Sequence, residues 1–307
     1  MSVGLISVIF GIVGLIAIAV TLYTPDKSRA QIEAEYATPP SIFVWVGGIR
    51  LHVRESGPVT GPAVVMLHGF ASSLFTWEPW ANALSDKYRI IRYDLPGFAL
   101  TGPDPTGDYS DERGLEVLAA LMDVLTVQQA SLVGNSMGGK LAWMFAAKHP
   151  ERVLKLILIS PDGFANHEFR YGMKTQIPLF ARLLPDILPA FIVRMTLGAA
   201  FGNPAAITKA MLERYRDLML APGNRAALIA RMAQIDLERP EAILARITAP
   251  TLLLWGTKDI VIPAANATEF RRSIQGSHII TFPTLGHIPQ EEAPGQSLAP
   301  ARAFLDC

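Results

Sequence analysis

The chain has 307 residues, 50% of them hydrophobic, with 27 basic and 27 acidic side chains and a formal net charge of +0. That length and apolar content suit one large core carrying an insertion better than two independent domains. Balanced charge without a like-charged block excludes the basic field that a nucleic-acid partner needs, and a single cysteine, Cys307, excludes an internal disulfide or a thiolate metal cluster.

Met1 to Pro25 contains no charged side chain, and Val3–Tyr23 is nearly all apolar. A helix of that length reaches roughly 30 Å, the thickness of a hydrocarbon core. Residues 1–25 are therefore expected to be a transmembrane anchor, with Tyr23 at the interface ahead of Asp26, Lys27 and Arg29. A cleaved signal peptide is the alternative: Ala17-Ile18-Ala19 suits a cleavage site, although no basic residue precedes the apolar run. Gly4, Ser7, Gly11 and Gly14 fall on one face of the expected helix, where small residues let two membrane helices approach and a homodimer form.

Residues 26–40 read as a juxtamembrane helix stopped at Pro39-Pro40. Phe43–Val46 and Leu51–Glu55 flank Gly47-Gly48, a hairpin signal. Val64–Leu67, Arg89–Tyr93, Ser131–Val133, Leu154–Ile159, Thr251–Trp255 and Ile279–Phe282 are short runs rich in β-formers, several apolar throughout. Trp77–Leu84, Asp111–Leu125, Met137–Lys148 and Ala265–Ile274 are helical in pattern. The alternation predicts a mostly parallel, doubly wound α/β sheet over residues 41–164 and 245–307. From 165 to 244 no strand is evident, and proline-interrupted Leu, Met, Ala and Arg predict a helical cap.

Gly134-Asn135-Ser136-Met137-Gly138 matches G-x-S-x-G between a strand-like run and a helical run, the setting of a nucleophile elbow. A serine hydroxyl needs a base to take its proton. Of six histidines, His287 lies just past the last strand, whereas His278 precedes that strand, His149 ends a helix, and His52 and His167 have no motif around them. Asp259, after Thr251–Trp255, is the favoured partner for the imidazole, and Asp162, after Ile159, is the competing acid. Backbone N–H groups of Phe70 and Met137 are the candidate oxyanion donors. His68 and Asp94 read as structural residues. No His/Asp/Glu cluster has ligand spacing, so neither metal nor cofactor is expected.

His68-Gly69-Phe70, Asp94-Leu95-Pro96-Gly97-Phe98, Gly134–Gly139, Asp259 and Gly286-His287 together resemble the α/β-hydrolase superfamily from Phe43 onward. Leu132–Gly139 is also similar to the elbow of meta-cleavage-product hydrolases, which cut carbon–carbon bonds, although Phe70-Ala71-Ser72-Ser73 is less glycine-rich than their oxyanion loop and looks more like that of esterases. Haloalkane dehalogenases and epoxide hydrolases carry Asp where this chain has Ser136. The apolar N-terminal run joined to such a domain resembles membrane-anchored bacterial phospholipases A. These likenesses imply a serine esterase acting on lipid or small esters, with the meta-cleavage type as the alternative. Lys27 and Arg29 after the span place the catalytic domain in the cytoplasm if taken literally. The phospholipase resemblance implies the periplasmic side of a bacterial inner membrane.

Overall fold

In a computed structural model, residues 22–165, 170–172, 177 and 179–307 are described. The expected span over 1–25 lies outside them except for its last four residues, as do the Gly4–Gly14 stripe, Ala17-Ile18-Ala19 and His167. No helix among the described residues is long and apolar enough to cross a membrane.

Eight strands form one sheet in the order β1-β2-β4-β3-β5-β6-β7-β8. β1 (Ser41–Val46) and β2 (Ile49–Ser56) are the hairpin, antiparallel to each other, and β2 is antiparallel to β4 (Arg89–Tyr93). Gly47 and Gly48 turn it with φ of 55° and 82°, the pair of positive values that a tight two-residue turn demands. β3 (Ala63–Leu67), β4, β5 (Ala130–Asn135), β6 (Val153–Ile159), β7 (Thr251–Gly256) and β8 (His278–Phe282) run parallel.

Apolar side chains alternate between the two faces of these strands, as a pleat of period two requires. Val65, Leu67, Leu132, Leu158 and Trp255 join one core, and Val64, Met66, Val133, Ile159 and Leu254 the other. Helices α2 (Glu78–Leu84), α3 (Asp111–Val124), α4 (Met137–Lys148) and α9 (Asn266–Ser273) cover the faces. Each fully buried aliphatic side chain contributes about 1.5–3 kcal/mol, so these strands supply a large share of the fold's driving force.

β4 and β5 leave β3 on opposite sides, so the winding reverses there. The carboxyl ends of β3 and β5 thus flank a topological switch point, where open α/β sheets form their crevice. α1 (Arg29–Tyr36) lies ahead of the sheet, capped by Ser28, whose hydroxyl accepts from the Gln31 N–H at 3.3 Å. Between β6 and β7 the described residues hold α5 (Ala190–Ala200), α6 (Lys209–Met219), α7 (Asn224–Ala233) and α8 (Glu241–Leu244), and no strand.

The chain ends in α10 (Pro289–Glu292) and α11 (Pro294–Asp306), neither of which the sequence reading anticipates. Pro294, Gly295 and Pro300 mask the pattern. The helix holds because Ala301 and Leu305 bury against the sheet.

Candidate active site

Ser136 joins β5 to α4 with φ 54° and ψ −121°. That backbone state costs a non-glycine residue of order 1–3 kcal/mol and persists only where the surroundings enforce it. The enforcement is local. Ser136 donates its N–H to the Ile159 carbonyl at 3.0 Å, and its own carbonyl accepts from Lys140 at 2.9 Å and Asp162 at 3.1 Å. A Cβ on Gly138 would lie 2.4 Å from the His68 and Leu67 carbonyl oxygens, and one on Gly134 would lie 2.4 Å from the Gly138 oxygen. Only glycine lets the turn close this tightly.

His287 reaches the same place from the loop after β8. Its Nδ1 is 2.8 Å from Asp259 Oδ2, with both side chains buried. Asp259 Oδ1 accepts the N–H groups of Val261 at 2.9 Å and Ile262 at 2.8 Å. A carboxylate can only accept, so Nδ1 carries the ring proton and Nε2 is left as the acceptor for a hydroxyl. Asp162, the competing acid, turns its Oδ1 to the Gly163 N–H at 2.8 Å instead. Burial pushes the Asp162 carboxyl above the ordinary carboxylate range, with Lys140 opposing.

Ser136 and His287 line one cavity of about 300 Å³ with Phe70 and Asn135. Leu184, Leu188, Ile192, Val193 and Leu197 supply much of its apolar wall. Phe70 follows β3, and a Cβ on Gly69 would lie 3.2 Å from Ser136 Cβ, so this turn is held against the nucleophile elbow. Met137 opens α4, so its N–H has no partner within the helix and sits at the positive end of the helix dipole. Its thioether turns away, 3.3 Å from Nη1 of the buried Arg231.

His68 uses both ring nitrogens structurally: Nδ1 donates to the Gly69 carbonyl at 2.7 Å, and Nε2 accepts the Leu95 N–H at 2.9 Å. Burial depresses its pKa, which keeps the ring neutral. Asp94 binds the Leu74 N–H at 2.8 Å, the Leu100 N–H at 3.1 Å and His52 Nδ1 at 2.7 Å.

His52 Nε2 is in turn 2.8 Å from Ser41 Oγ, so Ser41, His52 and Asp94 repeat the connectivity of a catalytic triad. Ser41, however, is an ordinary β1 residue paired in register with Arg54, whose Nε donates to its hydroxyl at 3.1 Å. It has neither the strained elbow nor the glycine cradle that expose Ser136.

Two residues outside the sequence-derived candidate set hold the site together. Asn135 Nδ2 donates to the His287 carbonyl at 3.0 Å and to the Ile159 carbonyl at 3.1 Å, tying the elbow to the histidine loop. Glu292 accepts three N–H groups, from Gly286 at 2.7 Å, Gly202 at 3.0 Å and Asn203 at 2.7 Å. It clips the histidine loop to the end of α5, where the Ala200 carbonyl also accepts the His287 N–H at 2.7 Å. The only signal for Glu292 in the sequence is an acid five places after a histidine, too common to stand out.

The α/β-hydrolase fold family matches residues 62–294. The chain belongs to that family. It is 29% identical to an uncharacterised protein of Mycobacterium tuberculosis, over 92% of this chain and 86% of that one. It is also 29% identical to a 2-hydroxy-6-oxononadienedioate/2-hydroxy-6-oxononatrienedioate hydrolase of Comamonas testosteroni, over 80% of this chain and 88% of that one. Among solved structures it resembles a membrane phospholipase A, a bacterial virulence factor, with TM-score 0.76 and 25% identity, covering 99% of this chain and 96% of that one. A putative lipase of Acinetobacter baumannii is similar at TM-score 0.76 and 25% identity, covering 92% and 97%.

Proposed function

We propose that this α/β hydrolase is a membrane-anchored serine hydrolase cleaving carboxylic esters of lipids: an esterase or lipase, phospholipase A or lysophospholipase. Ser136 attacks the ester carbonyl while His287 Nε2 takes its proton and Asp259 steadies the resulting imidazolium. The Phe70 and Met137 N–H groups receive the oxyanion, each worth roughly 3 kcal/mol in the transition state. His287 then gives its proton to the leaving alcohol, and water activated by the same imidazole releases the acid. Residues 1–25 anchor the enzyme, the catalytic domain faces the periplasm of a bacterial inner membrane, and two copies associate through the Gly4–Gly14 stripe.

The observation that carries the reading is the cavity. A strained serine and an Asp-paired histidine line it together with mostly aliphatic side chains, many of them from the 165–244 cap. Among the described residues its lining contains no Lys or Arg. A dianionic dienoate of the kind named for the Comamonas relative would be buried there without a counter-charge, which is costly. An acyl chain would not. The elbow's likeness to meta-cleavage hydrolases keeps carbon–carbon hydrolysis as the alternative. A panel of p-nitrophenyl esters, phospholipids, lysophospholipids and a ring-cleavage dienoate on purified full-length protein separates the two. Turnover of the dienoate well above that of every ester would refute lipid esterolysis.

A further inference from the structure

The described chain begins beside the cap. Tyr23 forms an antiparallel bridge with Ile187, and the Thr24 N–H donates to the Asp186 carbonyl at 2.8 Å. The Thr24 hydroxyl accepts the Leu188 N–H at 3.3 Å. Arg225, almost fully buried, donates to the Thr24 carbonyl at 2.7 Å and pairs with Asp26 at 2.7 Å. Arg225 also donates to the Leu184 carbonyl at 3.3 Å, and Lys27 donates its N–H to the Leu220 carbonyl at 2.8 Å. Leu184 and Leu188 line the cavity. The strap of residues 22–27 is therefore fastened to the cavity wall itself, at the point where the chain leaves the uncharged run Val3–Tyr23.

The outer side of that wall is apolar. Leu179 is 83% exposed, Leu183 55%, Phe191 67% and Met195 63%, with Leu22 at 42% and Tyr23 at 58% on the strap. Phe191 and Met195 are one helical turn apart on α5, whose other side presents Ile192, Val193 and Thr196 to the cavity. Single exposed apolar residues need no explanation, but six drawn from two consecutive elements of the cavity wall and the strap bonded to it suit a docking face. Arg182 and Arg194 are exposed on the same two elements, a charge that suits anionic headgroups.

We propose that this face, formed by the 179–183 turn, the outer side of α5 and the strap, rests on the surface of the bilayer that receives the apolar N-terminal run. The proposal rests on the anchor reading above. The strap fixes the geometry: with its end held at Ile187, the cavity wall cannot stand away from the membrane as a domain on a loose tether would. A lipid acyl chain then passes from the bilayer to Ser136 across a short apolar path rather than through water.

The test uses the full chain in vesicles of phosphatidylethanolamine with a minority of phosphatidylglycerol. A nitrobenzoxadiazole probe is placed by Phe191→Cys in a Cys307→Ser background, with Val59→Cys as the control. Val59 is 73% exposed in the loop leading into β3, at the amino end of the parallel strands and away from Ser136. The expected result is a blue-shifted probe at 191, quenched by doxyl-labelled phospholipid, and an unaffected probe at 59. The double variant Phe191→Ser/Met195→Ser should lose on the order of tenfold in phospholipid hydrolysis on vesicles while keeping its rate on soluble p-nitrophenyl butyrate.

A water-like probe at 191 in protein that survives a carbonate wash would overturn the proposal while leaving the anchor intact. So would a probe shielded but unquenched by doxyl lipid: disulfide crosslinking at Phe191→Cys would then identify the face as a dimer contact, and shielding that persists in detergent would mean the N-terminal run covers it. Release of the protein by the carbonate wash would refute the anchor, and the docking face with it.

Discussion

Glu292 offers a sharp mechanical test, because one carboxylate is asked to hold the catalytic loop without touching substrate. Its three N–H bonds, at 2.7, 3.0 and 2.7 Å, link Gly286, the residue before His287, to Gly202 and Asn203 just past α5. The backbones meet so closely that a Cβ on Gly286 would lie 2.4 Å from the Gly202 nitrogen. Hydrogen bonds to a charged group are worth about 1.5–3 kcal/mol each. Glu292→Ala removes all three and leaves three donors to find water. Glu292→Gln keeps one carbonyl oxygen, which in the place of Oε2 still bridges Gly286 and Gly202, while its amide NH2 is set against the Asn203 N–H. If about 1.4 kcal/mol of the lost energy appears as disorder of His287, Glu292→Gln falls about tenfold in kcat, and the alanine variant falls 30- to 100-fold, about 2–3 kcal/mol.

KM for a short ester should hardly move, because Glu292 does not line the cavity. Steady-state kinetics on p-nitrophenyl butyrate, with circular dichroism to confirm folding, measures this. A folded Glu292→Ala enzyme with unchanged kcat would show that Asp259, Asn135 and the Ala200 carbonyl position His287 without the clip.

Further outcomes follow from the same geometry. Thr196→Phe, which projects into the cavity from α5, should lower kcat/KM for long acyl chains by 1–3 kcal/mol relative to short ones; an unchanged chain-length profile would remove this wall from the acyl site. Asp259→Asn should lose most activity, since an amide can present a donor where Nδ1–H needs an acceptor, whereas Asp162→Asn should stay active. The reverse pattern would reassign the acid. His68 has a folded-state pKa held below its ordinary 6.5 by burial, so the unfolded chain takes up a proton that the native one refuses. Stability is therefore full above about pH 6.5 and falls as pH drops below it, with a slope of at most about 1.4 kcal/mol per pH unit from this one group. Urea titrations between pH 7.5 and 5 should show a shallower decline in His68→Gln than in the wild type.

The parallel strands and the elbow were legible because both are local. Val64–Leu67 and Leu156–Ile159 are apolar on both faces, and Gly134-Asn135-Ser136-Met137-Gly138 joins a strand to a helix over a few residues. The histidine and the acid could be read only as loops following strands, yet the common carboxyl edge of a parallel sheet brings such loops together. The C-terminal helices were hidden by proline and glycine, whose helix penalty is overridden by tertiary burial of Ala301 and Leu305. The clip by Glu292 and the strap through Arg225 were not legible at all. They join residues 90 and 199 positions apart through contacts between loops and carboxylates that leave no periodic trace. Ser41–His52–Asp94 shares the connectivity of Ser136–His287–Asp259, and what separates them is the G-x-S-x-G motif and the backbone state it holds at Ser136.

That distinction gives the most direct measurement of the central claim. Incubation of the full-length protein with a fluorophosphonate, followed by peptide mass spectrometry, reads which serine hydroxyl is activated. The expected adduct is stoichiometric on Ser136, abolished in Ser136→Ala, and slowed strongly in His287→Ala and Asp259→Asn. An adduct on Ser41 that persists in Ser136→Ala, or no adduct on a folded and hydrolytically active protein, would contradict the assignment of Ser136 as the nucleophile.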